Sequence, residues 1–98
     1  MELFDITDEE IEDFCRDFNC ELAIFRLNDI EKNEFYLKMY HLYEGTSPEF
    51  IVTKKSCRGI AGYKGYDLSV EWKMFLKILE DKKNIEKKHK ENESINTL

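Results

Sequence analysis

Residues 6–18 read Ile-Thr-Asp-Glu-Glu-Ile-Glu-Asp-Phe-Cys-Arg-Asp-Phe, and this stretch holds both a helix start and the face that helix must bury. Thr7 is placed to cap, Glu10 three residues on to close a capping box, and Ile6 to staple against Ile11. A helix is therefore predicted to begin at Asp8. Ile11, Phe14, Cys15 and Phe18 recur at i, i+3, i+4 and i+7, an apolar arc about 100° wide that faces a core. Asn19 is the expected end of the helix.

Downstream, three runs rich in aromatic and branched residues predict strands: Cys20 to Leu27, Phe35 to Tyr43, and Phe50 to Lys54. The polar links 28–34 and 44–48 have the length of hairpin connections, so the strands are expected to form an antiparallel meander. Residues 56–66 contain Gly59, Gly62 and Gly65 and read as too glycine-rich for a regular element. Asp67 or Ser69 then caps a second helix. In it Leu68, Trp72, Phe75, Leu76 and Leu79 make one apolar stripe, and Val70, Met74 and Ile78, spaced by four, make another on a different side.

The predicted architecture is a single small α+β domain of order α-β-β-β-α, its two helices packed on one face of a three-stranded antiparallel sheet. Past Leu79 the apolar residues thin to Ile85, Ile95 and Leu98 among Lys, Glu and Asn. The domain is accordingly placed at residues 1–85, and residues 86–98 are expected to be a solvated, charged helical extension fraying into a flexible tail.

Charge is sorted along the chain. Residues 1–50 carry fourteen Asp and Glu against four Lys and Arg, a net of −10, whereas residues 51–98 carry seven against eleven, a net of +4. Such sorting concerns partners rather than fold. Asp8, Glu9 and Glu10 are accounted for by the helix dipole, which favours acids in the first turn by about 0.3–1 kcal/mol each. Asp13 and Asp17 lie toward its negative end and create the like-charge pairs Glu9/Asp13 and Asp13/Asp17, each costing roughly 0.2–0.5 kcal/mol. Local rules thus leave surplus negative charge on this face, with Glu12/Arg16 as the only compensating pair.

Met1 is followed at once by acids, with neither a basic leader region nor an apolar run, so no secretory signal is expected. No apolar stretch approaches the roughly 20 residues of a membrane-spanning helix. The reading is a cytoplasmic protein without a membrane partner. Cys15, Cys20 and Cys57 are odd in number and have apolar neighbours, which predicts reduced, structural thiols. In that compartment the sequon Asn92-Glu93-Ser94 carries no glycan.

Catalytic chemistry has little to stand on. His41 falls in a predicted strand and His89 in the lysine-rich end, neither in a metal-ligand or Cys–His pattern, and the helix-one carboxylates lack the burial that acid–base work requires. The reading is therefore no enzyme, no catalytic residue, no metal and no cofactor.

Two surfaces remain. The stretch 50–66 is free of acids and carries Lys54, Lys55, Arg58 and Lys64 just before a helix N-terminus, a composition suited to a nucleic-acid backbone. The α-β-β-β-α order also resembles that of double-stranded-RNA-binding domains, which implies a nucleic-acid-binding module using loop 54–64. The first helix argues against it. Where that family touches RNA, this chain presents Asp8, Glu9, Glu10, Glu12, Asp13 and Asp17 beside a single Arg16, so no direct nucleic-acid binding is expected.

The other surface is acidic. Similar element orders occur in small acidic phage inhibitors, including some anti-CRISPR proteins. The favoured expectation is a non-enzymatic protein-binding inhibitor of phage or mobile-element type, acting in the cytoplasm of the host cell. Its nucleic-acid-mimicking helix (Glu9, Glu12, Asp13, Asp17) would occupy the basic groove of a larger, nucleic-acid-handling enzyme, with Val70, Met74 and Ile78 as an adaptable apolar contact. The alternatives are the nucleic-acid module and a homodimeric adaptor joined through the Val70 stripe.

Overall fold

The computed structural model describes residues 1–96, with the side chains of all but 23–25 and 87–96. A 3-10 turn, Leu3–Asp5, leads into α1, Asp8–Arg16; four strands follow, β1 Cys20–Asp29, β2 Glu34–His41, β3 Glu49–Val52 and β4 Cys57–Ile60; α2, Ser69–Asn96, closes the chain. The α+β class and the helix–sheet–helix order are as the sequence predicts. The sheet differs. It has four strands in the order β1-β2-β3-β4, every neighbouring pair antiparallel, where three were expected. The element order thereby departs by one strand from that of double-stranded-RNA-binding domains.

The helix start forms as read. Thr7 Oγ1 accepts from the Glu10 amide at 3.1 Å and Glu10 Oε1 accepts from the Thr7 amide at 2.9 Å. Ile6 and Ile11 are both buried in the core. Asn19, at φ 58°, turns the chain out of the helix region into β1.

The extra strand comes from a turn with none of the usual glycine chemistry. Thr53 Oγ1 accepts from the amides of Lys55 (3.1 Å) and Ser56 (3.0 Å), while the Thr53 amide donates to the Ser56 carbonyl at 2.8 Å. A side-chain hydroxyl thus supplies what Asn-Gly would supply in a conventional two-residue hairpin. Beyond β4 the chain folds back along that strand's edge. The Gly59 amide donates to the Tyr66 carbonyl at 2.8 Å, the Leu68 amide to the Cys57 carbonyl at 2.9 Å, and Arg58 and Asp67 form an isolated bridge.

Both helices lie on one face. Alternation along β2 and β3 buries Phe35, Leu37, Met39, Phe50 and Val52, and these meet Ile11, Phe14 and Cys15 of α1 and Trp72, Leu76 and Leu79 of α2 in one cluster. Trp72 is at its centre, with ring centroids 5.0 Å from Phe14, 6.1 Å from Phe35 and 5.7 Å from Phe75. Its Nε1 donates to the Thr53 carbonyl at 2.7 Å, tying α2 to the β3–β4 turn.

Arg26 performs the corresponding task for the N-terminal segment. From Leu22 to Arg26 β1 advances four residues while β2 advances two, from Met39 to Leu37; the bulge is even, so Arg26 stays on the inner face. Its guanidinium lies 5.1 Å from the Phe35 ring centroid, donates to the Ile6 and Phe4 carbonyls, and its Nε approaches Asp8 at 3.6 Å. One first-turn acid of α1 is therefore accounted for by tertiary structure as well as by the dipole.

The helix α2 runs to Asn96, through most of the stretch 86–98 assigned to a charged tail. The side chains of His89 and the sequon Asn92-Glu93-Ser94, and the terminal residues 97–98, lie outside the described ones. No helix among the described residues is long and apolar enough to cross a membrane.

Candidate functional site

The two helices run antiparallel. Glu10 on α1 meets Lys83 of α2 at 3.4 Å at one end, Phe14 packs on Phe75 at 5.3 Å in the middle, and Asp17 and Glu71 line a common groove toward the other end. Beside the Phe14–Phe75 contact lies a groove of about 310 Å³ lined by Phe14, Asp17, Phe18, Glu71, Met74, Phe75 and Ile78. Two surfaces read separately in the sequence, the acids of helix one and the second apolar stripe of helix two, are thereby joined at Asp17, Met74 and Ile78.

The stripe is uncovered. Val70, Met74 and Ile78 are 63%, 62% and 65% exposed, and Ile85 continues the line at 67%. This follows from the fold: a helix with two apolar stripes can turn only one toward a single sheet, and the indole of Trp72 fixes which. Val70 lies a turn beyond the groove and does not line it. Phe18, Phe75 and Glu71 do, and no sequence pattern marked them as site residues; Phe18 and Phe75 read as core, and Glu71 belongs to the first turn of α2.

The acids of α1 divide by partner. Asp8 faces Arg26, and Glu10 is held by Thr7 and Lys83. Burial pushes the Glu10 carboxyl up, but the Thr7 hydrogen bonds and the Lys83 ammonium outweigh it and leave it below its ordinary value. Arg16 serves both Asp13, in direct contact, and Glu12 at 3.9 Å. Sequence spacing pointed to Glu12/Arg16; the structure puts Asp13 closer. Among the described residues Glu9 and Asp17 have no cationic partner.

The four cations assigned to a nucleic-acid surface are dispersed. Lys54 and Lys55 occupy the β3–β4 turn, Arg58 projects from the outer sheet face opposite Ile51, and Lys64 belongs to the loop beyond the far end of β4. Lys54 shares a small pocket of about 200 Å³ with Lys73 and Lys77, but Glu2 and Glu80 line it too.

All three cysteines are buried and free. Burial pushes the thiols of Cys15 and Cys57 up to about 12, and raises that of Cys20, whose Sγ donates to the Phe18 carbonyl at 3.3 Å. Thiolate chemistry is suppressed in the folded state. Labelling by an aromatic disulfide reagent is therefore expected to be slower in native buffer than in urea by on the order of a hundred-fold or more, tracking global opening. Stoichiometric labelling of Cys15 or Cys57 within the mixing time under native conditions would contradict this burial. Among the described residues no group of three or more His, Cys, Asp or Glu side chains is placed to hold a metal.

Comparison with protein-family models, curated proteins and solved structures finds no match. The fold and groove define a small acidic α+β domain with an inter-helical cleft of phenyl, thioether and aliphatic side chains bordered by two carboxylates.

Proposed function

We propose that this chain is a small non-enzymatic binding protein that inhibits a larger, nucleic-acid-handling enzyme by lodging α1 in that enzyme's basic groove. The observation that carries the reading is the convergence of unpaired acid and exposed apolar stripe on one groove: Asp17 and Glu71 flank Met74 and Ile78. An apolar contact supplies affinity, while a carboxylate rim supplies orientation and association rate. Methionine at the centre suits an adaptable contact. The site of action is the host cytoplasm, and phage or mobile-element inhibitors of the anti-CRISPR kind are the nearest functional type.

Neutralising Glu9, Glu12, Asp13 and Asp17 together (to Gln and Asn) is the direct test. Relief of like-charge and dipole repulsion is opposed by loss of the Arg16 pairs, each exposed and worth at most about 1 kcal/mol, so the melting temperature should hardly move. Against the enzyme retained by affinity capture from the native host, calorimetry should show weaker binding, slower association and a flatter salt dependence. The same enzyme's nucleic-acid binding should be restored in competition. Unchanged affinity in the quadruple variant reduces the acidic face to a solubility device.

A further inference from the structure

On the other side of Asp17 there is a second, larger cleft of about 360 Å³, walled by the turn that ends α1, by the base of the β2–β3 hairpin and by the loop after β4. Asp17, His41, Glu44, Tyr63, Tyr66 and Met39 are among the side chains that line it. Among the described residues no Lys or Arg does, although the chain has fifteen and Lys64 falls between the two tyrosines in sequence. The Tyr63 and Tyr66 rings are 5.7 Å apart at 45°, an open wedge rather than a closed stack. The loop that carries them is drawn onto the β4 edge by the Gly59 and Tyr66 backbone.

The acids and dipoles that line the cleft among the described residues have one sign. Asp17 and Glu44 are exposed carboxylates, and the wall formed by residues 17–19 is the negative end of the α1 dipole. The tyrosine faces add the negative lobe of their quadrupoles. His41 Nδ1 accepts from the Glu44 amide at 3.0 Å, which ties the ring to the β2–β3 turn. Asp17 disfavours the end of its own helix and has no partner in the described structure; a cation in this cleft would give it one.

We propose that this cleft receives the guanidinium of an arginine presented by the partner protein. A planar cation stacks on tyrosine faces and engages carboxylates with directed N–H donors, which an ammonium does less well. The assignment rests on the reading of the chain as a binder of a basic protein and names the anchor such a partner must offer.

The test uses a probe that does not depend on the partner. Acetyl-Gly-Arg-Gly-amide titrated into isotopically labelled protein should produce saturable amide shifts at Asn19, Glu44, Tyr63 and Tyr66, with millimolar affinity. The citrulline peptide, isosteric and neutral, should produce none, and the lysine peptide should bind more weakly. The exposed double variant Asp17→Asn/Glu44→Gln should weaken the arginine peptide by about ten-fold or more while leaving the rest of the spectrum in place, and Tyr66→Ala should weaken it independently. Equal binding of the citrulline or lysine peptide, or shifts confined to the outer face around Glu9 and Asp13, overturns the assignment. With the captured enzyme the two ideas separate. Full affinity for Tyr66→Ala/Glu44→Gln would sink the arginine anchor and leave the acidic-groove reading standing. Full affinity for Glu9→Gln/Glu12→Gln/Asp13→Asn, with loss in the tyrosine variant, would do the reverse.

Discussion

Replacing Trp72 with Ala is expected to destabilise the domain by about 3–5 kcal/mol. The side chain is 0% exposed and is the only tryptophan of the chain. Its ring is in contact with rings from both helices and from β2, so its removal leaves a cavity that no one element can collapse into. The Thr53 carbonyl also loses the indole N–H that satisfies it at 2.7 Å. Trp72→Phe separates the two effects, because it retains most of the apolar volume and forfeits the hydrogen bond, for roughly 1–3 kcal/mol. Urea unfolding followed by far-ultraviolet circular dichroism measures both, since the variants lack the natural fluorophore. Small domains have about 5–15 kcal/mol in total, so the alanine variant should lose a fifth or more of its stability and as much as all of it. A loss under 1 kcal/mol would mean that Trp72 is not the joint between helices and sheet. The wall of the inter-helical groove should loosen in parallel, because Phe14 and Phe75 are both Trp72 neighbours.

The second large effect is expected at Gly59. A Cβ built there falls 1.9 Å from the Tyr63 carbonyl oxygen, 2.8 Å from its carbon and 3.0 Å from the Tyr66 carbonyl oxygen. These are backbone atoms and cannot swing aside. Gly59→Ala must therefore push the 61–66 loop off the edge of β4, breaking the Gly59–Tyr66 hydrogen bond and moving both tyrosines, for about 1–3 kcal/mol or more. Gly62 is the control. It has φ +94° but nothing within 4 Å of a built Cβ, so Gly62→Ala should show backbone strain alone, about 1–2 kcal/mol, with the Tyr63 and Tyr66 resonances in place. A structure or amide spectrum of Gly59→Ala with the loop undisturbed would refute the steric argument.

The same glycine shows where sequence reading stopped. Read along the chain, Gly59, Gly62 and Gly65 mark an irregular segment, because glycine is depleted in strands for reasons of entropy and missing side-chain contact. In the fold Gly59 is a strand residue whose lack of a side chain lets another backbone approach. That requirement depends on Tyr63 and Tyr66, which come near only after the loop has folded back. The preceding turn was equally hard to see, since Thr53 makes it through a hydroxyl rather than through a residue that prefers positive φ. Missing the turn and the glycine together removed β4 and gave a three-stranded sheet.

What the sequence determined by itself is whatever depends on neighbours three or four residues apart: the capping box at Thr7 and Glu10, the core-facing arc of Ile11, Phe14 and Cys15 with Phe18 half-buried at its end, the Trp72 stripe, and the α+β class that follows from helices flanking a run of strands. It also marked Val70, Met74 and Ile78 as a stripe surplus to the core, because a period of four on a second side is visible without coordinates. Tertiary structure alone decided that this stripe lies beside Asp17, and that Asp17 borders a cleft built from residues as distant as His41 and Tyr66. Those pairings span up to about sixty residues of chain, and local propensity has no reach over such a distance. They arise because the Trp72 indole, fastened to Thr53 and wedged between Phe14 and Phe35, sets the rotation of α2 and with it every surface that the two helices share.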